Sequence, residues 1–374
     1  MRNEPKVKLW LAQDLPPACE APLRRLARAE GVLRVAVLPD VHFSESVCVG
    51  VAMATRDRIY PQAVGGDIGC GMATVALRSA AVEPGVRAPG RVFDALYAAV
   101  PPRRQRAREE LPAELDPGLL SDGVLARLAE RDGRIEFATL GRGNHFLELQ
   151  RAEDGELWLV AHSGSRCMGP AIRDHHLARA GAPKSALAAL RLDGEEGQRY
   201  LRDHAWALRF AQRSRRAMLE RAASVLEEEL GVRAEWASFF DSHHNLARRE
   251  EVDGEELWVH RKGALPARLG ERGLIPGSMG DASFHVEGRG CAAALHSSSH
   301  GAGRSAARGV AARRMSLARF ARELEGTLYD ERLAARLLDE APSAYKPIGS
   351  VMRAQRELTR IVRRLSPVLV VKAT

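Results

Sequence analysis

Aromatic residues are scarce in this 374-residue chain: Phe, Trp and Tyr together make up 5%. Hydrophobic residues still reach 45%, so a sizeable core must be filled mostly by Leu, Val and Ala. Cysteine is rarer still. The five present (Cys19, Cys48, Cys70, Cys167, Cys291) are odd in number, widely spaced and without a C-x-x-C pair. That excludes a disulfide framework and a structural zinc ribbon. No apolar run approaches the ~18–20 residues of a membrane-spanning helix. The opening MRNEPKVKLWLAQ lacks the long apolar stretch of a secretory signal. The expectation is a cytoplasmic protein with no membrane partner. Internal repeats, low-complexity tracts and obvious linkers are also missing, which favours one integrated domain over residues 1–374.

Charge is plentiful and unbalanced. Lys and Arg outnumber Asp and Glu by 56 to 48, for a formal charge of +8 and a pI of about 9.6. Such a balance suits a polyanionic partner without requiring one, because Arg-rich chains also drift basic with nothing to bind. Strands are expected at 33–38 (LRVAVL), within 47–77, at 137–140 and 148–162, within 252–295, and at 367–372. Helices are expected at 193–230, 313–335 and 350–365. The stretch at about 85–135 reads as a helical surface excursion, and a second one covers 178–230. In the long helix Leu201, Ala205, Leu208, Ala211, Met218, Ala222 and Val225 form the apolar stripe, and Gly231 is the expected C-cap. Its arginines read first as a solvated face, with an RNA-facing surface as the alternative.

The chemistry gathers in short polar loops. VGGDIGCGM (64–72) places Asp67 and Cys70 three residues apart among four glycines. A carboxylate and a thiolate on such a turn can face one cation or bridge two; a plain turn with a buried thiol is the bland alternative. RGNHF carries Asn144 and His145, AHSGSR carries His162, DSHHN carries His244 and Asn245, and SSSHGAGR carries His300. One Cys, one Asp and three His are too many for one tetrahedral ion and suit a two-metal centre acting on phosphoryl oxygens. Small residues around His300 let a phosphate approach, and Arg304 could neutralise it. His300 itself could be a base, a ligand or a nucleophile. PGSMG (276–280) could line the same pocket.

LPDVH, VGGDIGCGM, LGRGNHFLE, AHSGSR, HHN, RKGA, GLIPGSMG and SSSHGAGR follow one another in this order. Together they closely resemble the RtcB family of RNA ligases, over about residues 33–372. The resemblance implies an α+β fold around a central β-sheet core with peripheral helices. It also implies a reaction that uses GTP and two Mn(II) ions. A histidine is guanylylated, GMP passes to an RNA 3′-phosphate (sometimes derived from a 2′,3′-cyclic phosphate), and a 5′-hydroxyl then displaces it. By resemblance His300 is the guanylylated residue. Cys70 bridges the metals beside Asp67, His145 binds the first, and His162 and His244 bind the second. Asn144 and Asn245 contact phosphates, and Glu148 and Lys372 contact the guanine. Pro276, Gly277, Ser278, Met279, Ser283, His300, Gly301, Ala302 and Gly303 line the guanylate pocket. Residue chemistry alone would have suggested zinc; manganese comes from the resemblance.

Four segments depart from the family pattern: FSES (43–46), Arg142 in place of a glycine, RSAAR (304–308) and AYKPIG (344–349). They bear on RNA-end recognition, on activation by an archease-type partner, and on turnover. A divergent bacterial paralogue repairing broken tRNA or ribosomal RNA is the expectation. The alternatives are a metal-dependent phosphatase or nuclease on the same centre, and an RNA-binding paralogue that has lost ligation.

Overall fold

The structure is a computed structural model and describes residues 6–79, 88–181 and 187–372. The apolar runs build two large sheets, beside two short strand pairs, Ala264–Pro266 with Ser297–Ser299 and Arg58–Ile59 with Leu190–Arg191. The first has the strand order Lys6–Leu9, Val32–His42, Val49–Thr55, Glu255–Lys262, Asn245–Val252; its first pair is parallel and the others antiparallel. The second runs Arg272–Ile275, Ser283–Gly288, Thr359–Lys372, Phe146–Ala152, Leu157–Ser163, Gly71–Ser79, Val232–His243. The short strand Leu328–Tyr329 lies alongside Thr359–Lys372. Strand Leu157–Ser163 is buried along its whole length, as its unbroken apolar run LWLVA requires of a central strand. Helix Glu195–Leu230 packs across this sheet, giving the mixed α+β fold expected. No helix among the described residues is long and apolar enough to cross a membrane.

The helix ends where expected, on Gly231 in the left-handed conformation (φ +67°), a backbone state that costs glycine nothing. Its core stripe is rotated from the expected one in the N-terminal half. Tyr200, Trp206 and Phe210 are buried, while Leu201 and Leu208 lie at the stripe's edge. Bulky side chains reach further into the space beneath the sheet than leucines do.

Other expectations change. Residues 137–140 do not form a strand. They follow the helical turn Arg134–Glu136, and buried Ala138 has φ +54°. Their backbone is paired by side chains: Gln105 Nε2 donates to the Phe137 and Ala138 carbonyls, and Ser214 Oγ accepts from the Ala138 N–H. Of the helix expected at 350–365, only Ile348–Ala354 forms nearby; Thr359–Leu365 pairs with Ser283–Gly288, and from Leu365 the strand pairs with Phe146–Ala152. The expected helix at 313–335 is broken into helices Arg308–Arg314 and Leu317–Glu323, the short strand at 328–329, and a 3-10 turn at Glu331–Arg336. Within the expected excursion, residues 85–87 lie outside the described residues. The remainder buries Val92, Phe93, Leu96, Leu115 and Leu125 in the main core instead of riding on the surface. In the second expected excursion, residues 182–186 also lie outside the described residues.

Candidate active site

Asp67 and Cys70 share one tight turn, closed by the Cys70 N–H on the Asp67 carbonyl at 3.0 Å. Gly69 at its apex has φ +73°, and an added Cβ there would fall 2.9 Å from that of Ala211 on the long helix. The turn is sewn to the HHN segment: Gly69 N–H donates to the Asn245 carbonyl and His244 N–H to the Cys70 carbonyl, both at 2.8 Å. Arg215, fully buried, forks onto Asp241 and donates to the carbonyls of Gly69 and Ser163, each at 2.7 Å. One guanidinium thus joins the loop carrying Cys70 to the strand end carrying His162.

Three donor atoms converge there. Cys70 Sγ lies 3.5 Å from His145 Nε2 and 3.3 Å from His162 Nε2, and all three residues are buried. Asp67 Oδ2 is 3.1 Å from His145 Nε2. His162 Nδ1 donates to the Asn144 carbonyl at 3.1 Å, which fixes the tautomer and leaves Nε2 bare toward the sulfur. Such a mixture of soft sulfur, imidazole nitrogen and nearby carboxylate oxygen suits a divalent transition metal, and the cluster is close enough to hold one. Burial pushes the pKa values of His162 and His244 well down, with neighbouring imidazoles adding to it, so both are neutral and ready to ligate. Burial, and then the Asp67 charge, push the Cys70 thiol well up; a thiolate here calls for a cation beside it. Burial raises Asp67, but the His145 bond and charge outweigh it and hold the carboxyl below its usual range.

His244 extends the cluster. Its ring lies 5.2 Å from that of His162 and 4.6 Å from that of His300, between centroids. His300 Nδ1 is 2.6 Å from Asp40 Oδ2, and the same oxygen accepts the His300 backbone N–H at 3.1 Å. Asp40 was no candidate on sequence; its only signal was its place in LPDVH. Gly263, the glycine of RKGA, has φ +59°. A Cβ there would meet Val49 Cγ1 at 2.2 Å and His300 Cε1 at 2.9 Å, so the bare backbone makes room for the imidazole.

These groups open into a cavity of about 340 Å³. Every site residue expected from the sequence lines it except His145 and Ser283. Ser283 stands behind the wall, where its hydroxyl accepts from Gln150 Nε2 at 3.0 Å; the same amide donates to Glu148 at 2.6 Å. Burial raises Glu148 to about 7, against the pull of Gln150 and Lys372. The Lys372 ammonium pairs with Glu340, which also bonds Arg308 and the Tyr345 hydroxyl. Asn245 serves as a strut: Nδ2 donates to the Asp67 carbonyl at 3.0 Å and Oδ1 accepts from the Gly263 N–H at 2.7 Å. Arg304 is tied inward, donating to the Asp339 carbonyl at 2.7 Å.

Two of the divergent segments line the same cavity, through Arg304, Arg308 and Tyr345. Ser44 of FSES accepts from Lys262 Nζ at 3.0 Å, and Lys262 lines the wall. Arg308 of RSAAR pairs with Asp339 at 2.6 Å. Arg142 is exposed, between Gly141 (φ +88°) and Gly143 (φ +85°).

The model of the family described as tRNA-splicing ligase RtcB matches residues 22–124 and 118–373. The RNA-splicing ligase RtcB of Escherichia coli (strain K12) is 34% identical over 98% of this chain and 97% of its own length. The RNA-splicing ligase RtcB of Mycobacterium tuberculosis (strain ATCC 25618 / H37Rv) is 29% identical over 93% of this chain and 99% of its own. The tRNA-splicing ligase RtcB of Nanoarchaeum equitans (strain Kin4-M) is 31% identical over 67% of this chain and 62% of its own. Fold and matches together define an enzyme of the RNA ligase class. Within that class the chain belongs to the RtcB family, as the motif order in the sequence implied.

Proposed function

We propose that the protein is a GTP- and Mn(II)-dependent ligase that joins RNA 3′-phosphate or 2′,3′-cyclic phosphate ends to 5′-hydroxyl ends through guanylylated His300. The observation that carries this reading is the 2.6 Å contact of His300 Nδ1 with Asp40, beside the Cys70–His145–His162 cluster and at the wall of the cavity. With Nδ1 engaged, Nε2 is the nitrogen free to attack. It forms a bond to the α-phosphorus of GTP as the bond to pyrophosphate breaks. An RNA 3′-phosphate oxygen then takes the guanylate and the P–N bond breaks, with the imidazole leaving as a neutral group once protonated. The 5′-hydroxyl oxygen finally attacks the activated phosphate, loses its proton, and GMP departs.

Two Mn(II) ions would be held by Cys70 between them, with Asp67 and His145 on one and His162 and His244 on the other. They would neutralise the triphosphate and orient its oxygens. Glu148 and Lys372 meet the guanine; the small residues of 276–279 and 301–303 admit ribose and phosphate. Asn144 lines the cavity and would meet a phosphate there, whereas the occupied amide of Asn245 supports the turn instead. The cavity draws on segments from His42 to Lys372, which supports reading residues 1–374 as one ligase unit. The substrate is broken tRNA or ribosomal RNA in the cytoplasm, with an archease-type protein as activator.

The test is covalent labelling by GTP with Mn(II). The expected result is an adduct on the wild type and none on His300→Ala, followed by joining of a broken RNA with defined ends. Phosphate release or RNA cleavage without GTP, and no adduct, would replace this reading with a hydrolase.

A further inference from the structure

Lys346 sits in the divergent AYKPIG segment and is buried. Its Nζ donates to the carbonyls of Pro39, at 3.0 Å, and Val41, at 2.7 Å: the two residues that flank Asp40. No carboxylate among the described residues pairs with it directly, so a desolvated ammonium is held by two carbonyls with the Asp40 charge nearby. Its own backbone N–H donates to the Gly303 carbonyl at 2.9 Å, and Tyr345 bridges to Arg304, so this segment is zipped to the loop that carries His300. Gly303 in turn lies so close that an added Cβ would fall 2.4 Å from the Asp40 carbonyl. Asp40 is fully buried and its Oδ1 has no hydrogen-bond partner among the described residues; only His300 holds the carboxylate directly.

We propose that Lys346 is a positioning residue for His300: it clamps the backbone on both sides of Asp40 and so keeps the Asp40 carboxylate aimed at Nδ1. The proposal rests on the reading of His300 as the guanylylated residue. Without Lys346 the carbonyls on either side of Asp40 lose their shared donor, the carboxylate shifts, and the imidazole can turn its reactive nitrogen away from the cavity.

The test is a double-mutant cycle with Asp40→Asn, read as the rate of GTP adduct formation on His300. Lys346→Met is expected to slow the adduct on the order of 10²-fold, as a displaced reacting group does. Its GTP affinity should stay within about threefold, since uniform binding is untouched. In the Asp40→Asn background the same change should cost less than about threefold, because the two residues act as a unit. Lys346→Arg, which keeps charge and paired donors, should recover most of the rate. Full additivity of the two changes would overturn the proposal. A second readout needs no GTP: site-resolved carbethoxylation of His300 by diethyl pyrocarbonate should change alike in Lys346→Met and Asp40→Asn. An unchanged His300 modification rate in Lys346→Met overturns the positioning role. A wild type that forms no adduct overturns guanylylation and leaves this chemical readout to decide on Lys346. Should the methionine variant fail to fold, Lys346→Gln carries the same cycle.

Discussion

At the scale of single residues, Asp40 and Cys70 make opposite demands. Asp40 acts through geometry and charge: it holds Nδ1–H of His300 so that Nε2 stays bare. Asp40→Asn keeps the shape but lets the amide present either face, so the wrong tautomer can form. Adduct formation on His300 is expected to drop by about 10²- to 10⁴-fold, measured by single-turnover GTP labelling, with overall stability little changed. Cys70 acts through its sulfur. Cys70→Ala removes the atom standing between His145 and His162, and is expected to abolish metal-dependent labelling while far-ultraviolet circular dichroism stays that of the wild type. Retained metal stoichiometry in Cys70→Ala would contradict its role. Cys70 was legible because D-x-x-C among glycines is an unusual string. Asp40 was not, since one aspartate in PDV differs from any turn residue only once His300, 260 positions away, is brought against it.

At the scale of elements, helix Glu195–Leu230 does more than cover the sheet. Its Arg215 reads in the sequence as one arginine of a solvated face, yet it is fully buried and holds the Cys70 turn and the His162 strand end together. Arg215→Met leaves Asp241 buried without its partner and frees the carbonyls of Gly69 and Ser163. The expected loss is about 3–5 kcal/mol, seen as a lower urea midpoint. Metal affinity should fall too, because the Cys70 turn and the His162 strand end lose their common anchor. A variant that keeps wild-type stability would show that the pair is exposed to water in solution.

At the scale of the whole molecule, buried titratable groups set the response to acid. Burial lowers His204 to about 3 and His260 to about 4. Unfolded histidines bind protons near pH 6.5, so between that pH and the native values the unfolded chain takes up more protons and stability falls as pH falls. Glu250 and Glu340 follow lower down. Burial raises both, but Arg261 and Arg248 around the first, and Lys372 and Arg308 around the second, hold each at about 2. Their contribution is present above the unfolded carboxyl value near 4.5 and lost as pH falls toward 2. The expected profile is a urea midpoint that declines below pH 6.5 and more steeply below 4.5. A flat midpoint from pH 7 to pH 5 would mean that the histidines are hydrated.

The sequence by itself determined the family, the α+β class, the central strands and more than half of the residues that line the cavity. These are local facts: hydrophobic runs, glycine turns and reactive side chains in short, ordered strings. Tertiary structure decided three things. It placed Asp40 and Lys346 behind His300, joining positions 40, 300 and 346 through side-chain contacts that no periodicity records. It turned residues 359–365 from expected helix to strand, because the ladder to Ser283–Gly288, continued by Leu365–Lys372 on Phe146–Ala152, outweighs local propensity. And it buried Arg215, whose charge is tolerable only where Asp241 and two loop carbonyls meet it.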